Sequence, residues 1–181
     1  MINTMAAIAA ARSIGLEWAG ISAALQNFVN APHRLEYVGS ISGVEFYNDS
    51  KATNVDAVWY ALDSFEKPLI LIMGGTDKGN DYSQIDELVR NKVKTIVALG
   101  IDNSKIEKHF KGYAKDVAST DSVFNAIEIA FMKAKPGDVV LLSPACASFD
   151  LFKNYEDRGD RFKEAFHALK NKVESNQKAS T

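Results

Sequence analysis

At 181 residues the chain has room for one full domain with a sizeable core. Its 46% hydrophobic and 24% charged content, with a formal net charge of −2, excludes the disordered and fibrous classes and argues against a nucleic-acid binder that works by phosphate neutralisation. The single cysteine, Cys146, allows neither an intramolecular disulfide nor a cysteine-based zinc site, which fits a reducing cytoplasm.

Along the chain, Asn3 to Ile14 is rich in helix formers and Gly15 supplies a stop. The apolar residues of this opening are mostly alanine with no basic residue before them, so it reads as helix rather than a secretory leader. "EWAGISAALQNF" gives a second, weaker helix, and Pro32 marks a boundary after residue 31. "RLEYVGSISGVEFYND" alternates apolar and polar residues on both sides of "SISG", which predicts a β-hairpin with Gly43 in the turn. Val55, Val58, Trp59 and Leu62 then recur at helical spacing, and "PLILIMGG" is the continuous apolar run of a strand buried on both faces. Helix "SQIDELVRN" leads to strand "TIVALG"; helix "NSKIEKHF" to a weak strand at "KDVAST"; helix "SVFNAIEIAFMKA" to strand "VVLLSPA". A last helix with an apolar face through Leu151, Phe152, Tyr155, Phe162, Phe166 and Leu169 precedes "ESNQKAST", expected as a frayed tail. No apolar run approaches the roughly 20 residues that a membrane-spanning helix needs.

Strands alternating with helices predict an α/β, Rossmann-like fold: a mostly parallel sheet with helices on both faces, an antiparallel edge from the hairpin, and a short helical appendage in front. Ligands of such sheets bind at the carboxyl ends of strands beside a topological switch point. Three loops qualify: "NDSKATN", "GGTDKGNDY" and "SPACASFD". Gly74 and Gly75 permit close backbone approach, Lys51 and Lys78 offer cations, and Thr53 and Ser148 offer hydroxyls. A helix starting after Ser148 would turn its N–H groups toward the same crevice. The set suits an anion with more than one negative group, whether a dicarboxylate or a nucleotide phosphate.

Structural readings stand beside these. Asp49, Ser50 and Asn54 are all good helix caps, Ser148 or Asp150 can cap the last helix, and Cys146 in an apolar strand reads as a buried small residue. His33, His109 and His167 lack metal-ligand spacing. The chain contains neither a G-x-x-x-x-G-K-[ST] phosphate loop nor a G-x-G-x-x-G fingerprint. Chemistry alone stops at an anion-binding α/β domain.

"HRLEYV", "NDSKATN", "GGTDKGNDY" and "LLSPACASFDLFKNYEDRGDRF", in this order, resemble the carboxy-terminal part of the Mur ligases, from about Asn3 to about Phe166. Family members that add the first alanine, the dibasic residue or the dipeptide tend to carry an Asp-Tyr-Ala-His-type sequence in place of "NDSKATN". The resemblance therefore points to the member that joins D-glutamate to UDP-N-acetylmuramoyl-L-alanine in peptidoglycan biosynthesis. It implies a cytoplasmic, ATP- and Mg2+-dependent amide-forming ligase, in which a substrate carboxylate is phosphorylated and then attacked by the amine of the amino acid. Residues 1–31 resemble the terminal helices of the central ATP-binding domain and 32–181 the C-terminal domain. The implied partners are D-glutamate, ATP, UDP-N-acetylmuramoyl-L-alanine and the missing amino-terminal and central domains, with no nucleic acid and no membrane. Lacking a phosphate loop, the fragment alone is expected to be inactive, with no metal ligands of its own.

Carried over residue by residue, the resemblance places Asn3 near the adenine, Arg34 at the ATP phosphates, Asp49 near the ribose, and Lys51 at the junction of nucleotide and D-glutamate. Thr53, Lys78, Ser148 and Tyr155 match positions that hold the D-glutamate carboxylates, with Phe149 beside Ser148; Lys51 and Arg34 are the implied catalytic pair. Phe149 and Tyr155 stand where related sequences often have leucine and phenylalanine, and Thr76-Asp77 where Asp-Gly is expected. Two other readings share the loops: a stand-alone amino-acid or nucleotide-binding module, and a folylpolyglutamate synthetase relative.

Overall fold

The computed structural model describes residues 2–28 and 30–179, which fall into two compact units, 1–31 and 32–181. The first contains α1 (Ile2–Ser13) and α2 (Trp18–Gln26). Between them Gly15 takes a positive φ of 87°, and the Arg12 guanidinium donates to the Leu16 carbonyl at 2.6 Å and lies 5.2 Å over the Trp18 ring. Among the described residues of this unit only Ile21 is buried.

In the second unit β1 (Glu36–Ile41) and β2 (Val44–Asn48) pair antiparallel. Ser42 and Gly43 between them have φ of 49° and 80°, the sign that a two-residue hairpin loop matching the strand twist requires. The first arm is shorter than the alternation predicts, because His33 (φ 63°) and Leu35 (φ 42°) are left-handed and cannot extend the ladder. Then follow α3 (Val55–Asp63), β3 (Leu69–Gly74), a 3₁₀ turn (Tyr82–Ile85) running into α4 (Asp86–Lys92), and β4 (Val93–Leu99). The chain continues through α5 (Ser104–Phe110), β5 (Asp116–Thr120), α6 (Val123–Lys133), β6 (Val139–Ala145) and α7 (Tyr155–Ala179). The helix through Ala179 corrects the expectation of a frayed tail from Glu174. That segment contains neither glycine nor proline, and a Lys170–Glu174 pair at 4.0 Å supports the turn that leads into it.

The six strands lie in the order β1-β2-β6-β3-β4-β5, and every pairing except β1–β2 is parallel. Successive side chains of β3 point to opposite faces. Leu69, Leu71 and Met73 pack with Val58 and Leu62 of α3, Val89 of α4 and Phe110 of α5. Ile70 and Ile72 pack with Ile127 of α6 and Phe162 and Phe166 of α7. β3 and β6 are therefore buried along their whole lengths, as the unbroken apolar run of β3 predicts, and each such Leu or Ile removed from water contributes about 1.5–3 kcal/mol.

Pro144 sits in β6, where it can donate no ladder hydrogen bond. The fold accommodates it with an irregularity: the β3–β6 register shifts between Ile72 and Gly74, and Ala145 takes φ 61°. This ends the regular ladder at the point where the loop after β6 begins. Among the described residues no helix is long and apolar enough to cross a membrane.

Candidate functional site

Sheet order decides what the three polar loops can do. β6 lies between β2 and β3, so the loop after β6 is flanked by the loop after β2 on one side and the loop after β3 on the other. The chain steps outward from β3 through β4 to β5 and returns across β3 to β6, which makes the β3–β6 boundary the switch point.

The loops are bonded to one another. Ala145 N–H donates to the Ala52 carbonyl at 3.0 Å, and Thr76 N–H to the Ala147 carbonyl at 2.8 Å. The Asn80 amide donates to the Ala145 carbonyl at 3.0 Å, and the Ser50 hydroxyl to the Tyr155 carbonyl at 2.7 Å. Gly75 has φ 124°, and a Cβ there would stand 2.2 Å from the Ala147 oxygen, so only glycine admits this approach of the β3 and β6 loops.

In the first loop, the capping ambiguity resolves. Asn54 caps α3, its side chain accepting from Ala57 N–H at 2.8 Å. Asp49 is only 6% exposed and has other work: one carboxylate oxygen accepts from Leu35 N–H at 3.2 Å and the other from the Ser143 hydroxyl at 3.0 Å. Burial raises its pKa from 3.8 to about 6, against the opposing pull of those two hydrogen bonds and of the nearby Arg34 charge. Arg34 is exposed, Thr53 is exposed at the outer end of the loop, and Lys51 is half-buried. The Lys51 ammonium donates to the Tyr155 hydroxyl at 3.1 Å and lies 4.9 Å over that ring.

In the second loop Asp77 organises the turn. Its carboxylate accepts from Gly79 N–H at 2.6 Å, Asn80 N–H at 3.0 Å, Lys105 Nζ at 2.9 Å and the Tyr82 hydroxyl at 2.8 Å. Burial opposes the charge, but these donors outweigh it and hold the carboxyl below its ordinary pKa. Lys78 projects from this turn, exposed, its ammonium 6.0 Å over the ring of Phe149, which is 67% exposed.

In the third loop Ser148 is buried and its carbonyl accepts from Phe152 N–H at 2.9 Å. Two expectations are corrected here. The helix begins at Tyr155, not after Ser148, because a turn intervenes. Its first turn is capped by Asn154, whose side chain accepts from Asp157 N–H at 2.7 Å, and not by Ser148 or Asp150. Cys146 is buried, with its thiol pushed up by desolvation and its sulfur 3.3 Å from the Tyr82 hydroxyl. A cleft of about 580 Å³ opens on the far side of this loop, lined by Phe149, Asp150 and Lys153 together with Asp121 and Phe124 at the start of α6 and Arg161 of α7.

The structure thus joins Lys51 with Tyr155 and Lys78 with Phe149, sets Arg34 beside buried Asp49, and leaves Thr53 at the rim. The Asn3 side chain lies outside the described residues. Two residues to which the sequence reading gave no role in the site matter here. Arg158, 1% exposed, lies beneath the loops, and His33, 6% exposed, has its Nδ1 3.0 Å from the Asn48 amide. Both lie inside quoted motifs, but neither spacing nor composition marks them as buried. Among the described residues no group of three or more His, Cys, Asp or Glu side chains gathers as a metal site.

Residues 33–146 match the family model described as Mur ligase, glutamate ligase domain. The chain is 62% identical over 162 residues to the UDP-N-acetylmuramoylalanine--D-glutamate ligase of Cytophaga hutchinsonii, covering 90% of this chain and 36% of that protein. It is 53% identical over 161 residues to the ligase of the same name from Porphyromonas gingivalis, covering 89% of this chain and 36% of that one. The chain therefore spans a little over a third of the length of these relatives. Among solved structures, MurF from Acinetobacter baumannii superposes with a TM-score of 0.66 at 18% identity, over 90% of this chain and 37% of that one. E. coli FolC in complex with DHPP and ADP superposes with 0.60 at 20%, over 94% and 39%. The family match over most of the second unit, on a fold shared with these solved structures, establishes that the chain belongs to the Mur ligase, glutamate ligase domain family.

Proposed function

We propose that this domain holds the incoming D-glutamate and closes over ATP in a ligase that adds D-glutamate to UDP-N-acetylmuramoyl-L-alanine. The observation that carries the reading is the crevice of three mutually bonded loops presenting Lys51 and Lys78, in a chain 62% identical to a ligase with that name. In this reading residues 1–31 are the last helices of the central domain, and Asn3 serves the adenine.

The residues present suit both anionic ligands. Lys78 is an exposed point charge beside the apolar Phe149 ring, a combination that fits a carboxylate on a short aliphatic chain, with Thr53 and Ser148 as further donors. Lys51, already oriented by Tyr155, and exposed Arg34 fit phosphate oxygens. Asp49 acts first by holding Leu35, and so the backbone next to Arg34; its remaining exposed edge is the part open to a ribose hydroxyl. ATP supplies the phosphoryl group that converts the substrate carboxylate into an acyl phosphate, from which inorganic phosphate leaves when the amine attacks the acyl carbon. The work left to this chain is alignment of the amine and neutralisation of charge. Mg2+ belongs with the phosphate loop that these 181 residues do not contain.

The test is ADP release by the full-length enzyme with ATP, D-glutamate and UDP-N-acetylmuramoyl-L-alanine. D-glutamate-dependent turnover is expected from the full-length protein and none from this chain alone. Turnover with another amino acid in place of D-glutamate would overturn the assignment. Micromolar D-glutamate affinity of this chain alone, measured by calorimetry, would favour a self-sufficient binding module instead.

A further inference from the structure

Beneath the crevice lies a cation that the proposed roles leave unused. Arg158, in the first turn of α7, is 1% exposed, and the hydrogen bonds of its side chain go to uncharged oxygens. Its guanidinium is satisfied by backbone and hydroxyl oxygens of all three loops. Nε donates to the Ser50 hydroxyl at 3.0 Å and Nη2 to the Ser50 carbonyl at 2.8 Å. Nη1 donates to the Cys146 carbonyl at 3.0 Å and makes a long contact of 3.5 Å with the Gly74 carbonyl. Ser50 follows β2, Gly74 ends β3 and Cys146 follows β6, so one rigid fork touches the base of each loop.

A buried charge without a counter-ion is expensive, and an apolar residue of equal volume would avoid the expense. Burial pulls the Arg158 pKa down only to about 10, so the group is charged at neutral pH. Asp150 stands near enough to favour that charge but outside bonding distance. Lysine cannot reproduce the arrangement, because its three donors radiate from one nitrogen whereas the guanidinium spreads five in a plane.

We infer that Arg158 is a positioning residue, a buried charged clamp that fixes the spacing of the three loops and maintains positive potential under the crevice, so that affinity for the anionic amino acid depends on a side chain that never reaches it. The inference rests on the reading of the crevice as the D-glutamate site. Fixed charges in a site sheltered from water act on a ligand more strongly than the same charges in solvent, which is why a side chain without ligand contact can set affinity.

The experiment compares wild type, Arg158→Lys, Arg158→Met and Ser50→Ala in the full-length ligase by ADP-release kinetics and by amide hydrogen exchange. Arg158→Met is expected to raise KM for D-glutamate at least tenfold with a smaller change in kcat, and Arg158→Lys, which keeps charge but not the fork, to fall between. Exchange should quicken in all three loops, residues 49–54, 74–81 and 146–154, in either Arg158 variant, and only in the first loop in Ser50→Ala. An unchanged KM in folded Arg158→Met, with only thermal stability lowered, would reduce the residue to a structural part and overturn the inference. So would faster exchange confined to one loop, a readout that holds even if wild type shows no D-glutamate dependence and the functional reading itself fails. If Arg158→Met does not fold, the lysine variant decides both points.

Discussion

Tyr155 illustrates how one hydroxyl can set the geometry of a neighbour. Its O–H lies 3.1 Å from Lys51 Nζ, a contact that phenylalanine at this position would lack while keeping the ring under the ammonium. Tyr155→Phe in the full-length enzyme should lower kcat/KM by a factor of about 3–10, the worth of one hydrogen bond of about 0.5–1.5 kcal/mol, without changing the unfolding temperature. Lys78 has no such hydroxyl partner among the described residues, and Lys78→Ala should raise KM for D-glutamate by the equivalent of roughly 1.5–3 kcal/mol, with kcat affected less. Asp49 makes a prediction about pH. An acid whose folded pKa stands above its unfolded one opposes folding as pH rises: below about 4 both states are protonated, between 3.8 and about 6 the unfolded chain loses the proton first, and above about 6 the full penalty applies. Asparagine can accept from Leu35 and donate to Ser143, so Asp49→Asn should stabilise the chain at pH 7 by about 1–3 kcal/mol, a gain that vanishes near pH 4. Thermal melts of both proteins across that range test this; an equal shift at every pH would show that ionisation is not the cause.

Loops separate two kinds of glycine. Gly75 has both a positive φ of 124° and a backbone oxygen 2.2 Å from where a Cβ would go, whereas Gly79, at φ 88°, faces open space. Gly79→Ala should therefore carry only backbone strain, about 1 kcal/mol, while Gly75→Ala must also part the β3 and β6 loops and should destabilise by more than about 2 kcal/mol. Denaturant melts distinguish them, and equal effects would mean that the loops yield freely. The elements themselves were largely legible. The apolar run at 69–74 announced two-sided burial, and Val55, Val58 and Leu62 announced the buried face of α3, although Trp59, read with them, is exposed. Departures occur where local chemistry was silent: left-handed His33 and Leu35 shorten β1, and a turn of six residues delays α7 beyond Ser148. Both depend on partners distant in the chain, such as Asn48 for His33 and Ser50 for the start of α7.

For the molecule as a whole, both hydrophobic clusters are drawn from residues 35–173, one on each face of the sheet. Residues 32–181 expressed alone should accordingly unfold in one cooperative transition, observable as coincident far-UV and near-UV melting curves; separated curves would mean that the two faces are not coupled through the sheet. Fold class, the helical start and the three polar loops follow from periodicity and turn chemistry, which act between residues close in sequence and so are written in it. The same holds for the family, because its motifs are long contiguous words. Which loops meet was a different matter. Only the placement of β6 between β2 and β3 brings Lys51 to Tyr155 across 104 positions and lets Arg158 reach Ser50 across 108. Burial likewise could not be read from composition. Nothing in the sequence marks Asp49 or Arg158 as buried, and it is the carboxyl end of the sheet, closing over them with loops that supply their hydrogen bonds, that turns one into a carboxyl with a raised pKa and the other into a buried cation.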